Sequence, residues 1–325
     1  MLAQLNGCKG GNEPSGDKPA NDTTQVTTTP LDIPAFNADS AYASVAAQVA
    51  FGPRTPGSAA QKQCADWMQM RLKGFCDTVY RQEATVKGGD GKSLPCINII
   101  GAINPKATRR ILLLAHWDSR PWADNDVKDK DKPILAADDG GSGVGVLIEL
   151  ARALKGKPLP ATLGVDILFT DVEDYGNSDW GKDTYCLGTQ YWAKNPHVPG
   201  YKAEFGILLD MVGARNARFP MEQTSGQYAG NVQQTIWQAA NRAGYSSFFP
   251  FVQSSGGVED DHKYVNEMAH IPTVDIISLT DNSPTGFPLH WHTHNDNMEV
   301  IDRATLKAVG QTLLQVVYET AQPSV

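Results

Sequence analysis

The sequence predicts a single α/β domain on a central mixed, mostly parallel, twisted sheet with helices on both faces. Three observations carry that class. Several strands read as continuous apolar runs, the pattern of strands buried on both faces. From residue 110 to residue 320 such runs alternate with helical segments. The composition, 41% hydrophobic and 20% charged, is that of a globular chain.

The elements follow in order. Residues 1–37 hold Gly10-Gly11, Pro14, Pro19 and a Thr-rich run at 23–30, and lack periodic apolar positions. Such a segment buries too little apolar surface to offset its ordering entropy, so it reads as a flexible tether before a domain at 38–325. Asp39-Ser40 is a helix-start signal, and Tyr42, Val45, Ala46 and Val49 recur at helical spacing. A second helix carries Cys64, Trp67, Met68, Leu72 and Phe75 on one face. Strands at 77–87 and 94–103 flank Gly88-Gly89-Asp90-Gly91, a hairpin-like edge. Strands are then expected at 110–115, 162–169, 205–209 and 273–278, and helices at 144–154, 184–194, 232–242 and 304–320.

Composition excludes some functions. With 28 Lys and Arg against 36 Asp and Glu, the net charge is −8, so the basic face that nucleic acid requires is absent. No apolar run approaches the roughly 18 residues of a membrane-spanning helix. Five cysteines, Cys8, Cys64, Cys76, Cys96 and Cys186, form no CxxC pair, which removes cysteine-rich zinc and thioredoxin motifs. Cys8 follows Leu5-Asn6-Gly7, a pattern like the end of a lipoprotein signal, although no apolar signal core stands before it. It reads equally as a lipid-anchor cysteine and as a chance cysteine in a tail.

The informative fact is where polar residues fall. In open α/β sheets, ligands bind outside the carboxyl ends of the strands. The strand at 110–115 runs into His116-Trp117-Asp118, and the strand at 162–169 into Asp171-Val172-Glu173-Asp174. The strand at 205–209 runs into Asp210, and the loop after 278 carries His290-Trp291-His292-Thr293-His294. Asp138-Asp139-Gly140-Gly141 precedes a helix. Taken singly, each piece has a bland reading as a cap, a solvated strand end or a surface histidine. Together they gather carboxylates that repel one another unless a cation neutralises them. Imidazoles without thiolates make Zn²⁺ the first choice and Mn²⁺ or Co²⁺ the runner-up.

The ordered blocks HWD (116–118), ADDGGSG (137–143), EDYG (173–176), LDMVG (209–213), EDDH (259–262) and WHTHNDN (291–297) resemble the zinc aminopeptidase-like hydrolases (the M28-type superfamily). Within them the chain is similar to the glutaminyl cyclases, in the bacterial branch related to the animal enzyme, over roughly 39–322. The resemblance implies zinc on Asp139, Asp174 and His292, with Glu173 as the catalytic acid/base. It implies Asp210 and Asp260 as a proton-sharing carboxylate pair, and Trp180 and Trp291 as walls of the substrate pocket. Animal cyclases carry Glu-Glu where this chain has Glu173-Asp174. The shorter aspartate draws the metal nearer the strand end, and bacterial members resemble this chain there.

The implied activity is cyclisation of N-terminal glutamine to pyroglutamate with release of ammonia, on one zinc per chain. The alternative is a two-zinc aminopeptidase, in which His116 and Asp210 hold a second ion bridged by Asp139. Asp260 before Asp261-His262, and Trp291 before His292, favour the cyclase. A metal-free or zinc-storing binding lipoprotein is the rival from another class. The remaining expectations are peptide substrates beginning with Gln, a monomer, and a periplasmic or outer-membrane-anchored location through a lipid at Cys8.

Overall fold

The structure is a computed structural model that describes residues 31–323. Among them six strands form one sheet in the order β1-β2-β4-β3-β5-β6. The strands are β1 (Thr78–Lys87), β2 (Ser93–Ile103), β3 (Arg109–His116), β4 (Leu163–Thr170), β5 (Phe205–Asp210) and β6 (Thr273–Ile277). β1 and β2 pair antiparallel, as does β2 with β4, whereas β4, β3, β5 and β6 run parallel. The hairpin edge and parallel centre expected from the sequence are both present.

Helices are α1 (Ala38–Ala50), α2 (Ala59–Phe75), α3 (Gly141–Gly156), α4 (Leu187–Lys194), α5 (Gln223–Arg242), α6 (Asp261–Tyr264) and α7 (Arg303–Thr320). Successive side chains of a strand point to opposite faces, and β3 shows the result. Ile111, Leu113 and Ala115 join the larger core with residues of α1, α2, α3, α5 and α7. Leu112 and Leu114 enter a second core with Trp192 of α4, Val265 and Ile271.

Helix ends follow ordinary capping chemistry. Asn37, Ser58 and Asp302 accept backbone N–H groups at the starts of α1, α2 and α7. Two helices differ from expectation. α5 starts at Gln223, two turns earlier, because the Glu222 carboxylate accepts the N–H groups of Thr224 and Ser225. α4 starts at Leu187, since Cys186 takes a left-handed backbone (φ 56°).

The tether expected over residues 1–37 lies outside the described residues as far as 30, and so does Cys8. Its last part is not a tether, because the compact domain begins at Ile33. Phe36 is 3% exposed, and its ring sits over Gly310, where a Cβ would lie 2.2 Å from the ring. Gln311 accepts the Phe36 N–H at 2.9 Å and donates to the Pro34 carbonyl at 3.1 Å.

Candidate active site

The parallel register sets the carboxyl ends of the central strands side by side. His116 pairs with Thr170 across β3 and β4, and Asp210 pairs with Ile277 across β5 and β6. Immediately beyond, the backbone turns sharply. Ala136, Val172, Cys186, Met211 and His292 all have φ between 46° and 56°. Non-glycine residues in this region carry strain, and such strain concentrates at functional sites. These turns aim the adjacent side chains at one point. Gly140 (φ 94°) is obligatory there, since a Cβ would meet the Asp118 carbonyl at 2.6 Å and the His116 ring at 3.0 Å.

Asp139, Asp174 and His292 come together, each offering a ligand atom within 4.8 Å of the others. His292 Nε2 lies 3.2 Å from Asp174 Oδ1 and 3.8 Å from Asp139 Oδ2. Oδ2 of Asp174 is buried with no hydrogen-bond donor. Burial alone would depress His292, but Asp174 and Asp124 beside it lift its pKa to about 9. The cluster thus calls for positive charge, one of its buried carboxylate oxygens lacks a donor, and two carboxylates with one imidazole suit Zn²⁺.

A further shell orients the ligands. Asp118 accepts the backbone N–H groups of Glu173 and Asp174 at 3.0 and 3.1 Å. Asp296 does the same for Asp138 and Asp139 at 2.7 and 3.1 Å. Arg120 donates to Asp174 Oδ1 at 3.0 Å and grips Asp124, which in turn stands 3.2 Å from Nδ1 of His292. Conserving ligand geometry through such partners is usual at metal sites. Arg120 and Asp124 carry no mark in the sequence, and Asp296 stands there only within the 291–297 block, because the ligands these residues orient lie far away along the chain.

His116, Asp139 and Asp210 form a second group of potential ligands that shares Asp139. His116 Nε2 is 3.0 Å from Asp139 Oδ1 and 3.3 Å from Asp210 Oδ1. Burial and the Asp139 charge push Asp210 up to about 6, against the opposing hydrogen bond from His116.

Glu173 is 9% exposed, and burial holds its carboxyl well above the usual range, with Asp174 and Asp260 adding to the effect against the pull of His116. Cys186 donates its thiol to Glu173 Oε1 at 3.2 Å. Asp260 completes this group, all three ligand atoms lying within 4.8 Å of one another. Burial, then the charges of Asp210 and Asp261, raise Asp260. The Asp210 charge acts on Asp260, and Asp275 stands close to Asp260 as well. Asp210 bonds His116, while Asp260 faces Asp275, whose carboxyl is raised well up by burial and by Asp260 and Asp210.

A cavity of about 300 Å³ opens onto these groups, lined by Asp139, Glu173, Asp174, Asp210, Asp260 and His292. Its apolar walls are Trp291, Phe287, Met211 and Ile277, with Tyr185 and Val258 beside them. Trp291 stacks on the His292 ring at 3.7 Å and packs against Phe287 at 4.4 Å. Trp180 does not line this cavity. It ends a one-turn 3₁₀ helix, Ser178–Trp180, and its ring packs on Trp122 and Tyr175 at 5.7 and 5.9 Å, under Gly89 of the hairpin. Phe287 and Tyr185 were missed in the sequence, since neither carries a charge or a period that marks it.

Residues 98–317 match the model of peptidase family M28. The chain is 51% identical to a Zn-dependent exopeptidase from Parabacteroides distasonis, with a TM-score of 0.86 over 88% of this chain and 99% of that one. It is also 51% identical to Tannerella forsythia glutaminyl cyclase, with a TM-score of 0.85 over the same shares. Among curated sequences, glutaminyl-peptide cyclotransferase of Gloydius blomhoffii is 28% identical over 82% of this chain and 76% of its own length.

Proposed function

The chain belongs to peptidase family M28, in its glutaminyl cyclase branch, and from that premise we propose how its residues close an N-terminal glutamine. The enzyme is a glutaminyl-peptide cyclotransferase. The α-amine of the first residue attacks the γ-amide carbon of the same residue, a C–N bond forms, a C–N bond breaks and ammonia leaves. Both reactants are already tethered, so the protein mainly holds a near-attack geometry.

Zinc on Asp139, Asp174 and His292 would supply Lewis-acid polarisation of the γ-carbonyl. Glu173 takes a proton from the attacking amine and returns it to the departing nitrogen. Its raised proton affinity suits both directions of transfer, and the Cys186 thiol fixes one of its oxygens. Asp260, held beside Glu173 with Asp275 close to it, hydrogen-bonds the leaving nitrogen. Trp291 gives a flat apolar wall for the glutamine methylenes.

The observation that carries this reading is the buried Asp260 carboxyl beside Glu173, a second proton carrier for expelling ammonia. We assign one zinc per chain, with His116 bonded directly to Asp139 and Asp210. The second reading, a two-zinc aminopeptidase, draws support from the second ligand group around His116 and from the exopeptidase neighbour. We further place the enzyme in the periplasm or at the outer membrane as a monomer, anchored through a lipid on Cys8. The support for this is the Leu5-Asn6-Gly7-Cys8 sequence and the Gly/Pro/Thr-rich segment after it.

Gln-dipeptides incubated with the enzyme decide between the two chemistries. Cyclisation releases one ammonia per peptide and creates no new amine. Release of a free amino acid, with two zinc ions both needed for activity, would make the protein an aminopeptidase.

A further inference from the structure

A further group of metal-ligating side chains begins at Asp260 and continues into the core. Asp260, His262 and Asp275 each offer a ligand atom within 4.8 Å of the others. Asp260 caps the start of α6 and lines the catalytic cavity. His262 follows in α6, Asp275 stands in β6, and both are fully buried. One oxygen of Asp260 accepts the Asp261 N–H. Its other oxygen, both oxygens of Asp275 and Nδ1 of His262 are buried without a hydrogen-bond partner among the described residues. Four such atoms in one place are costly to bury, and each can ligate a metal. Two carboxylates and an imidazole repeat the donor set of Asp139, Asp174 and His292, and suit Zn²⁺. The imidazole is also oriented as a ligand. Its Nδ1 lies 3.9 Å from Asp275 Oδ2, and its Nε2 lies 3.3 Å from Glu222 Oε2. A metal-ligating histidine ordinarily donates its other ring N–H to a carboxylate, which fixes the tautomer that frees the ligand nitrogen. Glu222 occupies that place, held by the N–H groups of Thr224 and Ser225.

A cation on Asp260 displaces to solvent any proton held by the carboxyls it binds. It also holds the Asp260 charge away from the leaving nitrogen. The catalytic ligands are braced by Asp118, Asp296, Arg120 and Asp124, whereas Glu222 alone has that role here among the described residues. Outer partners of this kind are each worth about 10–100-fold in affinity, so the catalytic ion binds first. Resting on the cyclase reading, we propose that Asp260, His262 and Asp275 form a second, weaker site for a divalent cation of the zinc class, and that filling it inhibits cyclisation.

The test starts from enzyme carrying one zinc and adds buffered Zn²⁺, with bound zinc and ammonia release from a Gln-dipeptide read on the same samples. The proposal expects a second equivalent to bind and turnover to fall about tenfold as it does, the effect of losing one hydrogen bond to a charged group. Asp275→Asn and His262→Gln should each keep the first equivalent and weaken the second by about 10–100-fold, at least what an outer partner is worth. The zinc concentration for half-inhibition should rise by the same factor, each variant being judged against its own activity at one zinc. His116→Ala should leave the second equivalent in place. A single equivalent at saturating zinc in the wild-type enzyme would overturn the site, whether or not the variants fold. So would a second equivalent that His116→Ala removes, that both other variants keep, or that leaves ammonia release unchanged or raises it. Those results leave the cyclase standing. No ammonia at one zinc would overturn the cyclase reading and the inhibition with it.

Discussion

The thiol of Cys186 lies 3.2 Å from Oε1 of Glu173, with both side chains in the buried floor of the site. Burial and the neighbouring Glu173 charge push the thiol's pKa well up, so it remains a donor. Cys186 is therefore a positioning residue for the acid/base, held in place by its own left-handed backbone.

Cys186→Ala should lower kcat about tenfold with little change in KM, the size of one hydrogen bond to a charged group. Cys186→Ser should restore most of the loss. An alanine variant with wild-type kcat would reduce Cys186 to a packing residue.

Asp118 links Glu173 and Asp174 by accepting both backbone N–H groups. Asp118→Asn replaces one acceptor with a donor that faces an N–H. Metal affinity measured by chelator competition should fall about 10–100-fold, as outer partners of ligands usually show. Unchanged affinity would mean that the ligand strand end holds itself.

Phe36 defines where the domain starts. Phe36→Ala should cost about 3 kcal/mol in urea unfolding, as for other buried phenylalanines. A chain starting at Ile33 should match the full chain in stability. Equal stability of a chain starting at Ala38 would contradict the packing of Phe36 against Gly310.

Glu222 gives the fold a signed pH dependence. Burial alone would raise its carboxyl, but His262 at 3.3 Å and the backbone N–H groups of Thr224 and Ser225 lower it from 4.5 to about 2. A folded pKa below the unfolded one contributes stability above pH 4.5 and loses it as pH falls toward about 2. Glu222→Gln should cost roughly 2–3 kcal/mol at neutral pH. That difference should shrink steadily below pH 4.5. A difference that stays constant down to pH 3 would remove Glu222 as the source.

What the sequence revealed followed from local pattern. Continuous apolar strands ending in His116, Asp171 to Asp174 and Asp210 exposed both the sheet and its polar rim. What it hid depends on partners distant along the chain. The first turns of α5 carry polar residues, Gly226, Gly230 and a non-helical Ala229, and are held by Glu222 from outside the helix. Asp260 faces Asp275 rather than Asp210 alone because β6 brings Asp275 in from the neighbouring strand, a juxtaposition that sequence spacing does not encode. Trp180 has the composition of a pocket wall, but its 3₁₀ turn directs the ring into the Trp122–Tyr175 cluster.

The central claim is that Glu173 moves the proton beside a metal held by Asp139, Asp174 and His292. The most direct measurement is kcat of Glu173→Gln on a Gln-dipeptide, with zinc content determined on the same sample. The account predicts a loss of about 10²–10⁴ in rate, the usual span of general acid–base catalysis, with zinc retained at the wild-type level. Turnover close to wild type in the zinc-loaded variant would contradict it.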